Sequence, residues 1–303
     1  GVSPAPGYVQ EAMKQHLDYS NQAPVYTMWR ILEPQREAVR QRVAREWGVD
    51  AEEIAFTRNA SESLQTLQLG IDLEPGDEVL TTNHEYGACD NVWLFLSRKQ
   101  GFAYRQQPIS LPTQPAEVVL EQFWQGVTDH TRVIFISHIS SATAVTFPVE
   151  LICARAREAG ILTVIDGAHT VGQIPLDIAA IDADFYLSNA HKWLCSPKCS
   201  AFMYARRDKH QLLEPLVVSW GWGEEAQWSY GSNLLDYLLW MGTDDPSAYL
   251  TVPAAIAFQA EHQWPTVRQQ CHNLLRQAVE EISAFTNLDS PYPDDSYYHQ
   301  LAV

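Results

Sequence analysis

Between residues 162 and 166 the chain reads Leu162-Thr163-Val164-Ile165-Asp166, an apolar run that ends on a carboxylate and is followed at once by Gly167. A strand this apolar along its length has no polar face for water, so it belongs in a sheet covered on both sides. Related runs recur at Glu53–Arg58, Glu78–Thr82, Ala103–Pro108, Val133–Ser137, Phe185–Ser188 and Ala201–Ala205. Helical patterns lie between several of them. Residues 35–47 place Val39, Val43 and Trp47 four apart, with Arg36 and Arg40 on another face. Residues 149–159 read as a helix closed by Gly160. Pro75-Gly76-Asp77 reads as a turn into the next strand. The expected architecture is α/β, a mostly parallel seven-stranded sheet flanked by helices.

The pattern changes after about residue 207. A Trp- and Gly-rich stretch, Ser219-Trp220-Gly221-Trp222-Gly223, replaces the strands, and helical patterns follow at Val252–His262 and Thr266–Phe285. Tyr297–Val303 reads as a further strand. The expectation is a large domain over 1–245 and the start of a smaller α+β C-terminal domain over 246–303, cut short at its end. The first 30 residues or so are expected to pack on the small domain.

Charge limits the partners. The net charge is −17, so a nucleic-acid backbone would be repelled by most of this surface. A local anion site built from backbone amides remains compatible with that charge. No apolar run is long enough to span a bilayer, and no basic-then-apolar leader opens the sequence. The five cysteines are odd in number and match no disulfide framework, which predicts a reducing, cytoplasmic setting. Cys195 and Cys199 lie close together, but no further ligands follow at zinc spacing.

Three stretches carry chemistry. In Val164-Ile165-Asp166-Gly167-Ala168-His169, a strand delivers a carboxylate at its C-terminal end, where open α/β sheets bind ligands. The alternative is an Asp that caps the next helix. In Ser188-Asn189-Ala190-His191-Lys192-Trp193, a lysine follows a buried strand among apolar neighbours, where burial favours a neutral, nucleophilic amine. The alternative is an ordinary surface lysine. In Thr57-Arg58-Asn59-Ala60-Ser61-Glu62, Asn59 and Glu62 form a capping box, and the first-turn amides make an anion site. A well-capped helix with no ligand would read the same way. Taken together, an anion cradle, a buried carboxylate and a nucleophilic lysine are the inventory of a pyridoxal-phosphate site.

These residues resemble the class V aminotransferase family of fold type I, in particular its isopenicillin N epimerase-like branch. The resemblance rests on Asp166-Gly167-Ala168-His169 and His191-Lys192-Trp193. Gly1–Pro6, Met28–Pro34, Thr57–Glu62 and Gly242-Thr243-Asp244-Asp245-Pro246 support it. It implies pyridoxal 5′-phosphate held as a Schiff base on Lys192, with Asp166 on the ring nitrogen and His169 beside the ring oxygen. Tyr86 would stack on the ring, and Ala60 and Ser61 would hold the phosphate through backbone amides. Asn189 and His191 would add phosphate contacts, with Ser188 in place of Asn189 if the register slips by one. Thr243 would reach the phosphate of a neighbouring subunit, which implies a homodimer with shared active sites. Tyr86 as a core aromatic, His169 as a satisfied buried histidine and Thr243 as a cap remain alternatives.

The implied reaction acts at Cα of a small amino-acid substrate, by epimerisation or transamination. Cysteine desulfuration or C–S cleavage is an alternative within the family. A cofactor-binding partner protein with little turnover is an alternative outside enzymology. The Trp-rich 219–228 stretch is expected either to line a substrate channel or to pack in an interface. Two positions depart from the family pattern: Ala144 and Cys199 stand where glycine is common. No arginine for a substrate carboxylate is identifiable.

Overall fold

The computed structural model describes residues 2–111, 114–223, 226 and 229–288. The expected strand at 297–303 and part of the 219–228 stretch lie outside the described residues. The strands are β1 (Ile54–Thr57), β2 (Glu78–Thr82), β3 (Ala103–Gln107), β4 (Thr131–Ser137), β5 (Leu162–Asp166), β6 (Phe185–Asn189) and β7 (Ala201–Ala205). They form one seven-stranded sheet in the order β1-β7-β6-β5-β4-β2-β3. The β2–β3, β2–β4, β4–β5 and β5–β6 pairs are parallel, whereas β7 runs antiparallel to both of its neighbours. Six strands therefore share one direction, and the mostly parallel α/β sheet read from the sequence is the fold observed.

The main helices are α1 (Gly7–Gln22), α2 (Leu32–Glu46), α3 (Ala60–Gly70), α4 (Gly87–Gln100), α5 (Ala116–Trp124), α6 (Val149–Glu158), α7 (Val252–Glu261) and α8 (Trp264–Thr286). They cover the sheet from both sides. Alternation along the strands sorts the core into two clusters. Ile134, Ile136, Ile165 and Tyr186 pack with residues of α2, α6 and α7. Val133, Phe135, Val164 and Leu187 pack with residues of α3 and α4. Burial on both faces is the physical reason these strands are apolar throughout. The edge strand β3 shows the converse, with Ala103, Arg105 and Gln106 exposed.

Leu250, Val252, Ala255 and Ile256 sit in the same cluster as β4 and β5, and α1 packs against α7. The segment after residue 245 thus begins inside the core of the large sheet. Trp29 stacks on Trp220 with ring centroids 5.5 Å apart, and Trp240 lies tilted against both at 5.5 and 6.1 Å. Among the described residues, no helix is long and apolar enough to cross a membrane.

Candidate active site

Strands β1, β2, β4, β5 and β6 point their C-terminal ends to the same edge of the sheet, and the turns leaving those ends build one cavity. Its wall is made by Ala60 and Ser61 after β1, Tyr86 and Cys89 after β2, and Ser137, Ile139 and Ser141 at the end of β4. Asp166, Ala168 and His169 after β5, with Asn189 and Lys192 after β6, complete it. Carboxyl-end crevices are where open α/β sheets place ligands.

Asp166 is the last residue of β5 and is 4% exposed. One carboxylate oxygen accepts the Ala168 N–H at 2.9 Å, and the other lies 3.6 Å from the Cys89 thiol. Burial raises its pKa against the opposing pull of the Lys192 charge. The charge of this carboxylate is therefore incompletely compensated. Gly167 follows because a side chain would not fit: a Cβ there would lie 2.2 Å from the Tyr186 ring.

Lys192 is half-buried, and burial lowers its pKa while Asp166 and Cys89 raise it. Its Nζ lies 2.9 Å from His169 Nε2. His169 is 7% exposed, and burial, followed by the Lys192 charge, pushes its pKa down to about 3. The imidazole is therefore neutral at any ordinary pH.

The phosphate-type cradle is the first turn of α3. Asn59 caps it, accepting the Glu62 N–H at 2.9 Å. The capping box is displaced by one residue, because Glu62 reaches back to the Arg58 N–H at 2.6 Å while binding the Arg58 guanidinium. The Ala60 N–H is directed to Asn189 Oδ1 at 2.9 Å. Neither Ala60 nor Ser61, as first-turn amides, has an acceptor within the helix; Ala60 is met by Asn189, and Ser61 lines the cavity. Asn189 meets this turn through Ala60. Ser188 is turned elsewhere and donates to the Gly167 carbonyl at 2.6 Å.

Seven of the nine residues singled out from sequence thus line one cavity: Ala60, Ser61, Tyr86, Asp166, His169, Asn189 and Lys192. Tyr86 is 49% exposed, at the mouth. His191 is outside the lining and holds the Ser200 carbonyl at 3.0 Å through Nδ1. Thr243 is exposed and also outside it. Neither Trp220 nor Trp222 lines the cavity. Sequence reasoning missed Cys89, Ser137, Ile139, Ser141 and Ala168. Ser137 was findable by the rule that exposed Asp166, since it too ends a buried parallel strand. Cys89 lies three residues after Tyr86 and so faces the same way from the start of α4. The two non-glycine departures share one backbone property: φ is 55° at Ala144 and 68° at Cys199, the left-handed region that favours glycine.

A family model described as "Aminotransferase class-V" matches residues 1–300. An isopenicillin N epimerase of Amycolatopsis lactamdurans is 32% identical over 282 residues, which are 89% of this chain and 70% of that protein. A hercynylcysteine sulfoxide lyase of Schizosaccharomyces pombe is 28% identical over 262 residues, 85% of this chain and 67% of that protein. In three dimensions the chain is similar to a cysteine desulfurase from Thermococcus onnurineus, with a TM-score of 0.83 at 22% identity, over 99% of this chain and 75% of that one.

Proposed function

The chain belongs to the aminotransferase class-V family, and from that premise we propose that it is a pyridoxal-phosphate enzyme acting at Cα of an amino acid. The observation that carries the reading is the convergence of Lys192, Asp166 and Ser61, in the first turn of α3, on one cavity. The residues fit the cofactor. Burial of the Asp166 carboxylate outweighs the pull of the Lys192 charge, and a protonated ring nitrogen would supply the missing positive partner. The α3 N-terminus offers an amide and a helix dipole to a phosphate. When bound, the cofactor supplies an electron sink that acidifies the substrate Cα–H.

The protein's own groups then have distinct tasks. Lys192 is the attachment point, and its amine moves the Cα proton. Asp166 would hold a protonated ring nitrogen. His169, which lies beside Lys192, would serve the ring oxygen, and Tyr86, half-exposed in the cavity wall, would stack on the ring. Asn189 holds the α3 turn in place. His191 positions the Lys192 loop against the start of β7, and Thr243 serves the site of a second subunit in a cytoplasmic homodimer.

Epimerisation or transamination is the favoured outcome, in line with the epimerase relative. A second reading, β-elimination at a C–S bond, is favoured by the sulfoxide lyase relative. Persulfide chemistry has little support in the cavity wall: Cys89 is buried there, and burial beside Asp166 pushes its thiol pKa far up.

Reconstitution with pyridoxal phosphate tests the reading. The expected result is a visible absorbance band that borohydride fixes on the Lys192 peptide and that Lys192→Ala abolishes. An amino-acid panel in deuterated water separates the outcomes: Cα exchange with inversion marks epimerisation, keto-acid release transamination, and sulfide or sulfenate release elimination. A band with no exchange or product from any amino acid would leave the protein a cofactor-binding partner.

A further inference from the structure

The Trp193 indole N–H points at His169 Nδ1 across 3.2 Å. An indole nitrogen can only donate, so Nδ1 must present its lone pair. His169 is neutral, so its single ring proton sits on Nε2. That atom lies 2.9 Å from Lys192 Nζ. An ammonium also can only donate, and two donors cannot share a 2.9 Å contact. The contact closes as a hydrogen bond only when Lys192 is a free amine that accepts from Nε2–H.

We propose that Trp193 is a positioning residue whose indole N–H fixes His169 as the Nε2–H tautomer, and that this tautomer holds Lys192 as a free amine. Its meaning for catalysis rests on Lys192 being the cofactor lysine.

Trp193 is itself held from several sides. Its carbonyl accepts from Gln259 Nε2 of α7 at 2.8 Å. The same carbonyl lies against Gly172, where a Cβ would come within 2.3 Å of it and where φ is +84°. The Gly172 carbonyl in turn accepts the Trp264 indole N–H of α8 at 2.7 Å. The turn bearing His169 and the loop bearing Lys192 are thereby clamped together by two helices from the C-terminal part of the chain. Of the titratable groups around Lys192, Asp166 and Cys89 favour the charged amine, and His191 also feels its charge. The tautomer lock opposes Asp166 and Cys89.

The test uses the cofactor-free full chain labelled with 15N-histidine. Two-bond proton–nitrogen spectra at pH 8 are expected to show His169 in the Nε2–H form. In Trp193→Phe the Nδ1–H form should appear, because Nδ1 is released. Labelling of Lys192 by acetic anhydride, followed by peptide mass spectrometry, should then slow about tenfold at pH 8. In a His169→Gln background, Trp193→Phe should change the labelling no further. A wild-type Nδ1–H spectrum would overturn the proposal, and so would an equal Trp193→Phe effect in both backgrounds. The wild-type spectrum decides the tautomer even if Trp193→Phe fails to fold. Failure to bind pyridoxal phosphate would remove the proposed function yet leave this measurement standing.

Discussion

Asn189 Oδ1 accepts the Ala60 N–H at 2.9 Å, joining the end of β6 to the first turn of α3 across 129 residues of sequence. This bond fixes where the anion cradle sits relative to Lys192, three residues further on. Both partners are buried, at 5% exposure each. Asn189→Ala would leave a buried N–H unpaired, at a cost of ~1–3 kcal/mol. Urea unfolding of the cofactor-free chain should show that loss, and phosphate-analogue binding should weaken with it. Unchanged stability would mean that water replaces the side chain.

Asp166 should behave as a functional residue held against stability. Its carboxylate is buried, and its raised pKa reports an unfavourable charge in the cofactor-free chain. Asp166→Asn keeps the shape and removes that charge. Cofactor-free stability is expected to hold or rise, while turnover of the reconstituted enzyme falls about a hundredfold or more. Thermal melts and steady-state rates read the two effects separately.

Glu85 gives a pH signature. It is 9% exposed, accepts from Thr82, the Ser137 N–H and the Ser137 hydroxyl, and burial still pushes its pKa up to about 7. The folded state therefore holds this proton more tightly than the unfolded state, whose pKa is near 4.5. The contribution is fully present below pH 4.5 and is lost as pH rises through 7. A shift of this size corresponds to roughly 3 kcal/mol. Glu85→Gln should flatten the stability profile across that window, as followed by denaturant midpoints at several pH values.

Ala144 and Cys199 hold left-handed backbones with φ of 55° and 68°. A side chain in that region costs about 1–2 kcal/mol, against about 0.5–1 kcal/mol of chain entropy that glycine adds. Ala144→Gly and Cys199→Gly are each expected to stabilise the protein by ~0.5–1 kcal/mol. Calorimetry showing a loss at both positions would mean that their side chains make contacts that outweigh the strain.

The sheet was legible because its determinants are local. A strand buried on both faces must be apolar throughout, so Leu162–Asp166 and Ala201–Ala205 declare themselves with the bounds observed. The reversed direction of β7 was not legible, since the same apolar run serves either direction. Asp166, Lys192 and the α3 turn could be read as chemistry because each interrupts an apolar strand end with a polar group. Glu85 could not be read as buried: nothing in its neighbours says that Ser137, 52 residues away, supplies two of its three donors.

Which residues could do chemistry here was written in the chain: a lysine, a carboxylate and a capped helix start, each at or just past the end of a buried strand. How they are tuned is set by contacts made only in three dimensions. The strand order sets β5 beside β6, which brings the His169 turn against the Lys192 loop, and Trp193 then reaches the far nitrogen of His169. Such contacts depend on pairings between segments far apart in the chain. Local residue patterns carry no record of them, because a hydrogen bond is fixed by distance and direction in space.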